Sequence, residues 1–155
     1  MLRKYFLLKL INFWPPYLGA GVKVKKIAPD FSHVEVEMKL RFWNKNYVGT
    51  HFGGSLYSMT DPFLMLMLIE RLGKNYIVWD KSASIRFKKP GKGKVKALFQ
   101  LSEDDVKAIK QKADENDKYE PEFVIQIKNE QNDVIAEVTK LLYVKKNPPH
   151  TNKVL

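Results

Sequence analysis

The stretch GTHFGGSLYSMTDPFLMLMLIE, which runs from Gly49 to Glu70, decides the fold. A glycine pair is followed by one carboxylate and one proline, Asp61 and Pro62, and then by seven consecutive apolar residues. Such a run gives a helix no polar side, so a helix over residues 63–69 must be covered all round by other elements. The run is far shorter than the roughly 20 residues that a bilayer requires, and we do not expect it to span a membrane.

Six strand-like segments can provide this cover. Apolar and polar side chains alternate in SHVEVEMKLRF, which indicates a half-buried strand whose inward face carries every second residue from Val34 to Phe42. The preceding GVKVKKI forms a hairpin with it through the turn APDFS. Four further strands are predicted at residues 76–89, 94–102, 121–129 and 133–146. SEDDVKAIKQKADEN is typical of a helix with Ser102 as its N-cap.

The predicted fold class is therefore α+β, with a curved antiparallel sheet of about six strands wrapped around one central apolar helix. At 155 residues the chain fits a single domain over residues 1–155, with its core at about 21–145. Residues 1–14 are expected to form a short amphipathic helix that rests on the domain or contacts a membrane surface. We expect residues 147–155 to be a loose tail.

Composition excludes several kinds of chemistry. The chain has no cysteine, which rules out disulfides, thiolate metal sites and cysteine nucleophiles and fits a reducing compartment, so a cytoplasmic protein is expected. Lys9, Asn12 and the pair Pro15-Pro16 interrupt the first apolar patch, which argues against a signal peptide. No spacing typical of metal ligands is present, and we expect no bound metal.

Positive charge is concentrated in one segment. The net charge is +10, and residues 81–96 contain seven Lys or Arg side chains and no acid. Such a patch favours an anionic partner, although a solvated basic face is the alternative. A nucleic-acid partner is not expected, because Phe87 is the one aromatic side chain in the segment and no nucleic-acid-binding motif is present.

From Asn46 to Asp61 the chain reads N-x-x-G-T-x-x-G-G-x-x-x-x-x-x-D, and a later strand ends in F-x-x-P at Phe87 and Pro90. This pattern resembles the hotdog-fold acyl-CoA thioesterases of the phenylacetyl-CoA type, and within them a branch of unknown function. The resemblance implies an acyl-CoA or acyl-carrier thioester as substrate, a homodimer or a dimer of dimers, and no cofactor beyond the coenzyme A of the substrate. It also implies a histidine directly before the glycine pair, where this chain has Phe52, with His51 one residue earlier.

The residues themselves support such chemistry, and each has a structural alternative. Amides of Gly53 and Gly54 at a helix start can bind a thioester oxygen, or the glycines can simply form a tight turn. Asp61 can act as general base or nucleophile, or it can cap a helix that begins at Pro62. Asn46 can hold the thioester oxygen or the water, or it can be a turn residue.

Geometry favours two subunits, because eight residues of helix place Gly53 and Asp61 about 12 Å apart, which is too far for both to contact one carbonyl group.

The remaining candidate site residues are expected to bind the substrate. Cations are expected to attract the phosphates of coenzyme A, and apolar side chains near the central helix are expected to contact the acyl chain: Arg86, Lys88, Lys89, Lys92, Lys94, Phe52, Tyr57 and Phe63.

Two other functions remain open from the sequence. A non-catalytic acyl-CoA or lipid binding module fits the replacement of the family histidine by Phe52. A hotdog dehydratase would need a histidine paired with an acid, for which His51 is the only candidate.

Asp80 and Ser82 are further polar candidates for the site. Regular alternation, with Trp79 facing inward, turns both side chains outward unless a bulge or the dimer seam brings them in.

Overall fold

The structure, a computed structural model, describes residues 10–147. Over these residues a 3-10 turn, four α-helices and six strands follow one another in the predicted order. The helices are α1 (Pro15–Ala20), α2 (Gly53–Ser58), α3 (Phe63–Leu72) and α4 (Glu103–Glu115). The strands are β1 (Val22–Ile27), β2 (His33–Lys39), β3 (Tyr76–Phe87), β4 (Lys94–Gln100), β5 (Glu122–Asn129) and β6 (Val134–Lys146).

All six strands form one antiparallel sheet in the order β1-β2-β4-β5-β6-β3. The predicted β1–β2 hairpin is present, with Val24 opposite Val36. Alternate side chains of the central strands point inward, as period-two patterning requires, and form a core with the helices. β3 lies at one edge and pairs only with β6 among the described strands.

Helix α3 packs in the concavity of the sheet, which is the hotdog arrangement predicted from the sequence. Phe63 is buried, and its ring centroid lies 5.0 Å from that of Phe99. The helix is not covered all round within one chain, however, because Met65, Leu66 and Ile69 are only half-buried. The expectation of complete cover by the chain's own strands is therefore wrong, and one apolar side of α3 remains open.

A turn at residues 59–62 separates α2 from α3, so the oily segment is not one continuous helix. Asp61 donates its N–H to the Ser58 carbonyl, and the Thr60 hydroxyl donates to the Tyr57 carbonyl. Pro62, which has no N–H to donate, is the N-cap of α3 and makes no side-chain cap. The alternative of Asp61 as the helix cap is wrong, because its carboxylate bonds to another part of the molecule.

The predicted polar helix is confirmed as α4, with Ser102 and Asp105 forming a reciprocal capping box. The prediction of an amphipathic helix over residues 1–14 is wrong for the part that the structure describes. Residues 10–13 form a 3-10 turn, and an α-helix begins only at Pro15, because proline suits the first helical position. Residues 1–9 and 148–155, the rest of that predicted helix and most of the predicted tail, lie outside the described part of the chain.

Strand β2 is shorter than the alternation predicts. It ends at Lys39, and Phe42, predicted on the inward face, is 80% exposed. The Asn44 side chain explains this, since it accepts a bond from the Arg41 N–H and donates to the carbonyls of Lys39 and Ala20, turning the chain out of the sheet. Within residues 10–147 no helix has the length and apolar character needed to cross a membrane.

Candidate active site

Asp61 lies beside a buried lysine. Lys140 is fully buried, and its ammonium donates to the Asp61 carbonyl oxygen and lies 3.4 Å from Asp61 Oδ1. Lys140 takes this position because it falls on the inward face of β6, between Val138 and Leu142. The Asp61 side chain is still 47% exposed. Its carboxylate therefore has a cation on the protein side and an open side toward solvent.

Asp80 binds the same ammonium, with its Oδ1 3.0 Å from Lys140 Nζ. The β3–β6 pairing shifts by one residue between Asp80 and Ser82, so Lys81 is the extra residue of a bulge. Before the bulge the buried positions are Tyr76 and Val78, whose face Asp80 shares, whereas Trp79 is 63% exposed. Regular alternation predicted that Trp79 faces inward while Asp80 and Ser82 face outward, and for Trp79 and Asp80 this prediction is wrong. Ser82, beyond the bulge, remains exposed.

Two tyrosines complete the surroundings of Asp61. Burial raises the pKa of the Tyr57 phenol, and Asp61 raises it further by its charge and as a hydrogen-bond partner, with a smaller effect from the charge of Asp80. Burial likewise raises the pKa of Tyr17, and the Asp61 charge adds to the effect. The Tyr17 hydroxyl is buried without a hydrogen-bond partner among residues 10–147. Tyr57, expected to bind substrate, therefore lies at the candidate acid.

The glycine pair begins α2. Ser55 and Leu56 donate their N–H groups to the Phe52 carbonyl, whereas Gly53 and Gly54 have no backbone acceptor within residues 10–147. Both glycines also permit close packing of aromatic rings. A Cβ on Gly53 would lie 2.8 Å from Phe87 Cζ, and one on Gly54 would lie 2.5 Å from the Phe52 ring. Free amides and a packing reason for glycine thus coexist at this helix start.

A cleft of about 640 Å³ opens at Gly53. Phe87 and three of the predicted phosphate-binding cations line it: Lys88, Lys89 and Lys92. Lys88 and Lys89 pair with acids of β6 and the turn before it, Glu137 at 3.9 Å and Asp133 at 2.7 Å. Lys92 has no acidic partner in the part of the chain that the structure describes.

Other candidate cations lie outside this cleft. Neither Arg86 nor Lys94 lines it, and Lys94 lies 3.5 Å from Glu130. Asp61 is also absent from the lining. One chain therefore brings Gly53 and three lysines together at this cleft, whereas Gly54 and Asp61 lie outside it.

Asn46 and His51 line the cleft, and their polar atoms are used largely by the protein itself. The Asn46 amide donates to the Thr50 hydroxyl and accepts from the Thr50 N–H, at 2.9 and 3.0 Å. His51 Nε2 lies 3.1 Å from the Gly93 carbonyl oxygen, while Nδ1 is buried without a partner in the described residues. Burial lowers the pKa of His51, and the Gly93 carbonyl opposes part of that effect.

The two apolar candidates lie in different surroundings. Phe52 is exposed next to Gly54, whereas Phe63 is a core residue packed on Phe99. Lys140 was not among the candidates, although its sequence position carries a signal. In VTKLLYV the alternation puts it on the same face as two apolar neighbours, where an unpaired charge is costly.

The chain matches one protein family and has the fold of several solved structures. The family model described as "Domain of unknown function (DUF4442)" matches residues 3–144. No curated protein matches the sequence. Among solved structures, a probable thioesterase from Pseudomonas aeruginosa is 20% identical and superposes with a TM-score of 0.79, covering 92% of this chain and 96% of that one.

Two further structures share the fold at lower similarity. A thioesterase from Haemophilus influenzae is 16% identical with a TM-score of 0.65, over 93% of this chain and 92% of that chain. A variant of the phenylacetic acid degradation protein PaaI from Thermus thermophilus is 19% identical with a TM-score of 0.57, over 83% and 97%. At these identities the likeness establishes the hotdog fold.

Proposed function

This chain belongs to the DUF4442 family, and on the basis of its site we propose that it hydrolyses acyl thioesters of coenzyme A or an acyl carrier. One observation carries the proposal: the Asp61 carboxylate, half exposed, is held by a buried lysine at the break of the central helix. The proteins of this fold compared above include one described as a thioesterase and one as a probable thioesterase, which supports the same reaction class.

In the proposed reaction Asp61 accepts a proton from water while the water oxygen attacks the thioester carbonyl carbon. The carbonyl oxygen becomes an oxyanion, for which the amides of Gly53 and Gly54 are the donors. When the oxyanion collapses, the C–S bond breaks, and the thiolate takes the proton from Asp61. Thioester and water are thereby converted to carboxylic acid and thiol, and Asp61 returns to its ionised form.

The two halves of this site contact β3 at different points. Gly53 lies against the Phe87 ring, whereas Asp61 is tied through Lys140 to Asp80, seven positions earlier in the strand. At about 3.3 Å rise per residue, those positions are roughly 20 Å apart. A complete site within one chain is therefore not expected.

Antiparallel pairing of two β3 edges resolves this separation. A two-fold axis between Ala83 and Ser84 exchanges positions 80 and 87, so Asp80 of one protomer lies opposite Phe87 of the partner subunit. Ser82, Ala83 and Ser84 are small and exposed, which suits close approach at such an axis. We therefore propose a homodimer in which the acid of one chain serves the glycine amides of the other.

Two features of the single chain support this dimer. β3 is a 12-residue edge strand with exposed apolar side chains, and such edges in stable proteins are normally paired or protected. One side of α3 also remains half-exposed at Met65, Leu66 and Ile69. A second copy that continues the sheet would bring apolar surface to both regions.

The test is release of free thiol from a panel of acyl-CoAs, for the wild type and for Asp61→Asn. We expect turnover by the wild type and a loss of at least about 100-fold in the variant, because the base is removed. The variant should fold, since Lys140 keeps its contact with Asp80. Binding of acyl-CoA by calorimetry with no turnover of any thioester would instead identify a binding module, the function that Phe52 suggests.

A further inference from the structure

We infer that Lys140 is a positioning residue for the hydrolysis: its buried ammonium holds the Asp61 backbone carbonyl and carboxylate and so orients the carboxylate toward the substrate side. The inference rests on the proposed function, in which Asp61 is the base. It adds a residue on β6 that contacts neither substrate nor water in the proposed reaction and acts only through Asp61.

The burial of Lys140 requires an explanation, since a lysine on the core face of a sheet loses its hydration entirely. An unpaired buried ammonium is strongly destabilising, and an apolar residue between Val138 and Leu142 would avoid that penalty. Three oxygens compensate the cation instead: the Asp61 carbonyl, Asp61 Oδ1 at 3.4 Å and Asp80 Oδ1 at 3.0 Å. Two acids on different elements thus converge on one cation.

The contacts of Lys140 constrain Asp61 at two points, the backbone carbonyl and the carboxylate. Both belong to the turn between α2 and α3, and no side chain caps the N-terminus of α3 where this turn ends. With Oδ1 on the lysine side and the side chain 47% exposed, the carboxylate has a defined orientation and an accessible face. This is the geometry that a general base needs.

The charges around Asp61 show why a cation is needed there. Asp80 brings a second negative charge to the same site, and two close carboxylates repel each other when no cation lies between them. Tyr57 and Tyr17 face Asp61 as neutral phenols and supply no positive charge. Lys140 is therefore the cation that holds the two carboxylates at one site.

The experiment compares kcat and KM for one acyl-CoA in three variants. In Lys140→Met we expect kcat to fall by roughly 10-fold or more with little change in KM, because the carboxylate is no longer held in the orientation that the reaction needs. In Asp80→Asn the ammonium still holds Asp61, so kcat should fall less. Lys146→Met breaks the 2.9 Å ion pair between the end of β6 and Asp114 of α4; it is the matched control and should change neither constant.

A purely structural lysine would lower stability without changing the kcat of the folded protein. An unchanged kcat in folded Lys140→Met would therefore overturn the inference. Folding of this variant is expected, because both carboxylates retain contact with water and methionine fits the apolar face. Should it nevertheless fail to fold, Lys140→Arg supplies the decision: it keeps the charge but presents its donors in a different geometry, and an unchanged kcat there overturns the inference.

Failure of the proposed function gives a different result. If the wild type hydrolyses no thioester, crystal structures of the wild type and Lys140→Met still test the inference. A rotated or displaced Asp61 carboxylate in the variant supports the role of Lys140. The same Asp61 conformer in both proteins contradicts it, whatever the reaction.

Discussion

Lys140 Nζ lies 3.0 Å from Asp80 Oδ1, so a buried cation on β6 links the edge strand β3 to the turn that carries Asp61. This link fixes the acid near the Tyr76 half of β3, while Gly53 packs against Phe87 at the other end. The separation of acid and amides along one strand is the physical reason for expecting a site shared between two chains.

The Gly53 amide can be removed without removing the helix. Proline is well tolerated at the first helical position, and Phe52 already has the extended backbone that a following proline requires. We expect Gly53→Pro to lower kcat by roughly 100-fold, the usual loss for one oxyanion donor. Gly53→Ala is the control, because it adds the same Cβ against the Phe87 ring but keeps the N–H. Equal losses in both variants would attribute the effect to packing.

The β3 edge is expected to form the dimer seam. Ala83→Arg places a large charged side chain at the proposed axis, where it meets its copy, so we expect monomers in sedimentation velocity and loss of thioester hydrolysis. Val124→Arg, on the exposed outer face of the sheet, is the control and should remain dimeric. A fully dimeric and active Ala83→Arg protein would rule out this seam.

Lys92 is expected to contact the phosphates of coenzyme A. It lines the cleft at Gly53 and has no acidic partner among the described residues. Lys92→Met should raise KM for acyl-CoA by roughly fivefold, because an exposed charge contact contributes about 1 kcal/mol. The variant should also respond less to added salt. Lys128→Met, which removes a lysine of the outer sheet face, should leave KM unchanged.

The burial of His51 predicts that the folded protein loses stability at acidic pH. Burial lowers the pKa of its imidazole, so the folded state favours the neutral ring. This stabilisation of the folded state is fully present above about pH 6.5, the ordinary pKa of the imidazole in the unfolded chain. It is lost as the pH falls through the lower pKa that the imidazole has in the folded state. The free energy of unfolding, measured with urea at pH 7.5 and at pH 5.5, should therefore fall more for the wild type than for His51→Gln. His33→Gln retains His51 and should behave as the wild type does; equal pH dependence in all three would refute the prediction.

Most of the fold could be predicted because it follows from periodicity. The alternation around Val36 defined β2, the Ser102 cap defined the start of α4, and the apolar run after Pro62 defined the central helix. The errors arose where local hydrogen bonds overrode the pattern. The Asn44 side chain ended β2 before Phe42, and the bulge at Lys81 changed which β3 residues face inward.

The candidate site was less predictable because its parts are joined by tertiary contacts. Asp61 and the glycines stand in one short motif, but Lys140 follows Asp61 by 79 positions and has no motif of its own. Whether Asp80 reaches the site depends on a bulge that no residue type announces. Only the alternation around Lys140 hinted at a buried cation, and that pattern does not name its partners.

The shared site is tested most directly by a heterodimer of two inactive proteins. Asp61→Asn and Gly53→Pro are co-expressed with different tags, and the dimer carrying both tags is isolated. If each site takes its acid from one chain and its amides from the other, one site is intact, and about half of the wild-type kcat per dimer should return. A heterodimer as inactive as its two parents would show that the acid and amides of a site do not come from different chains.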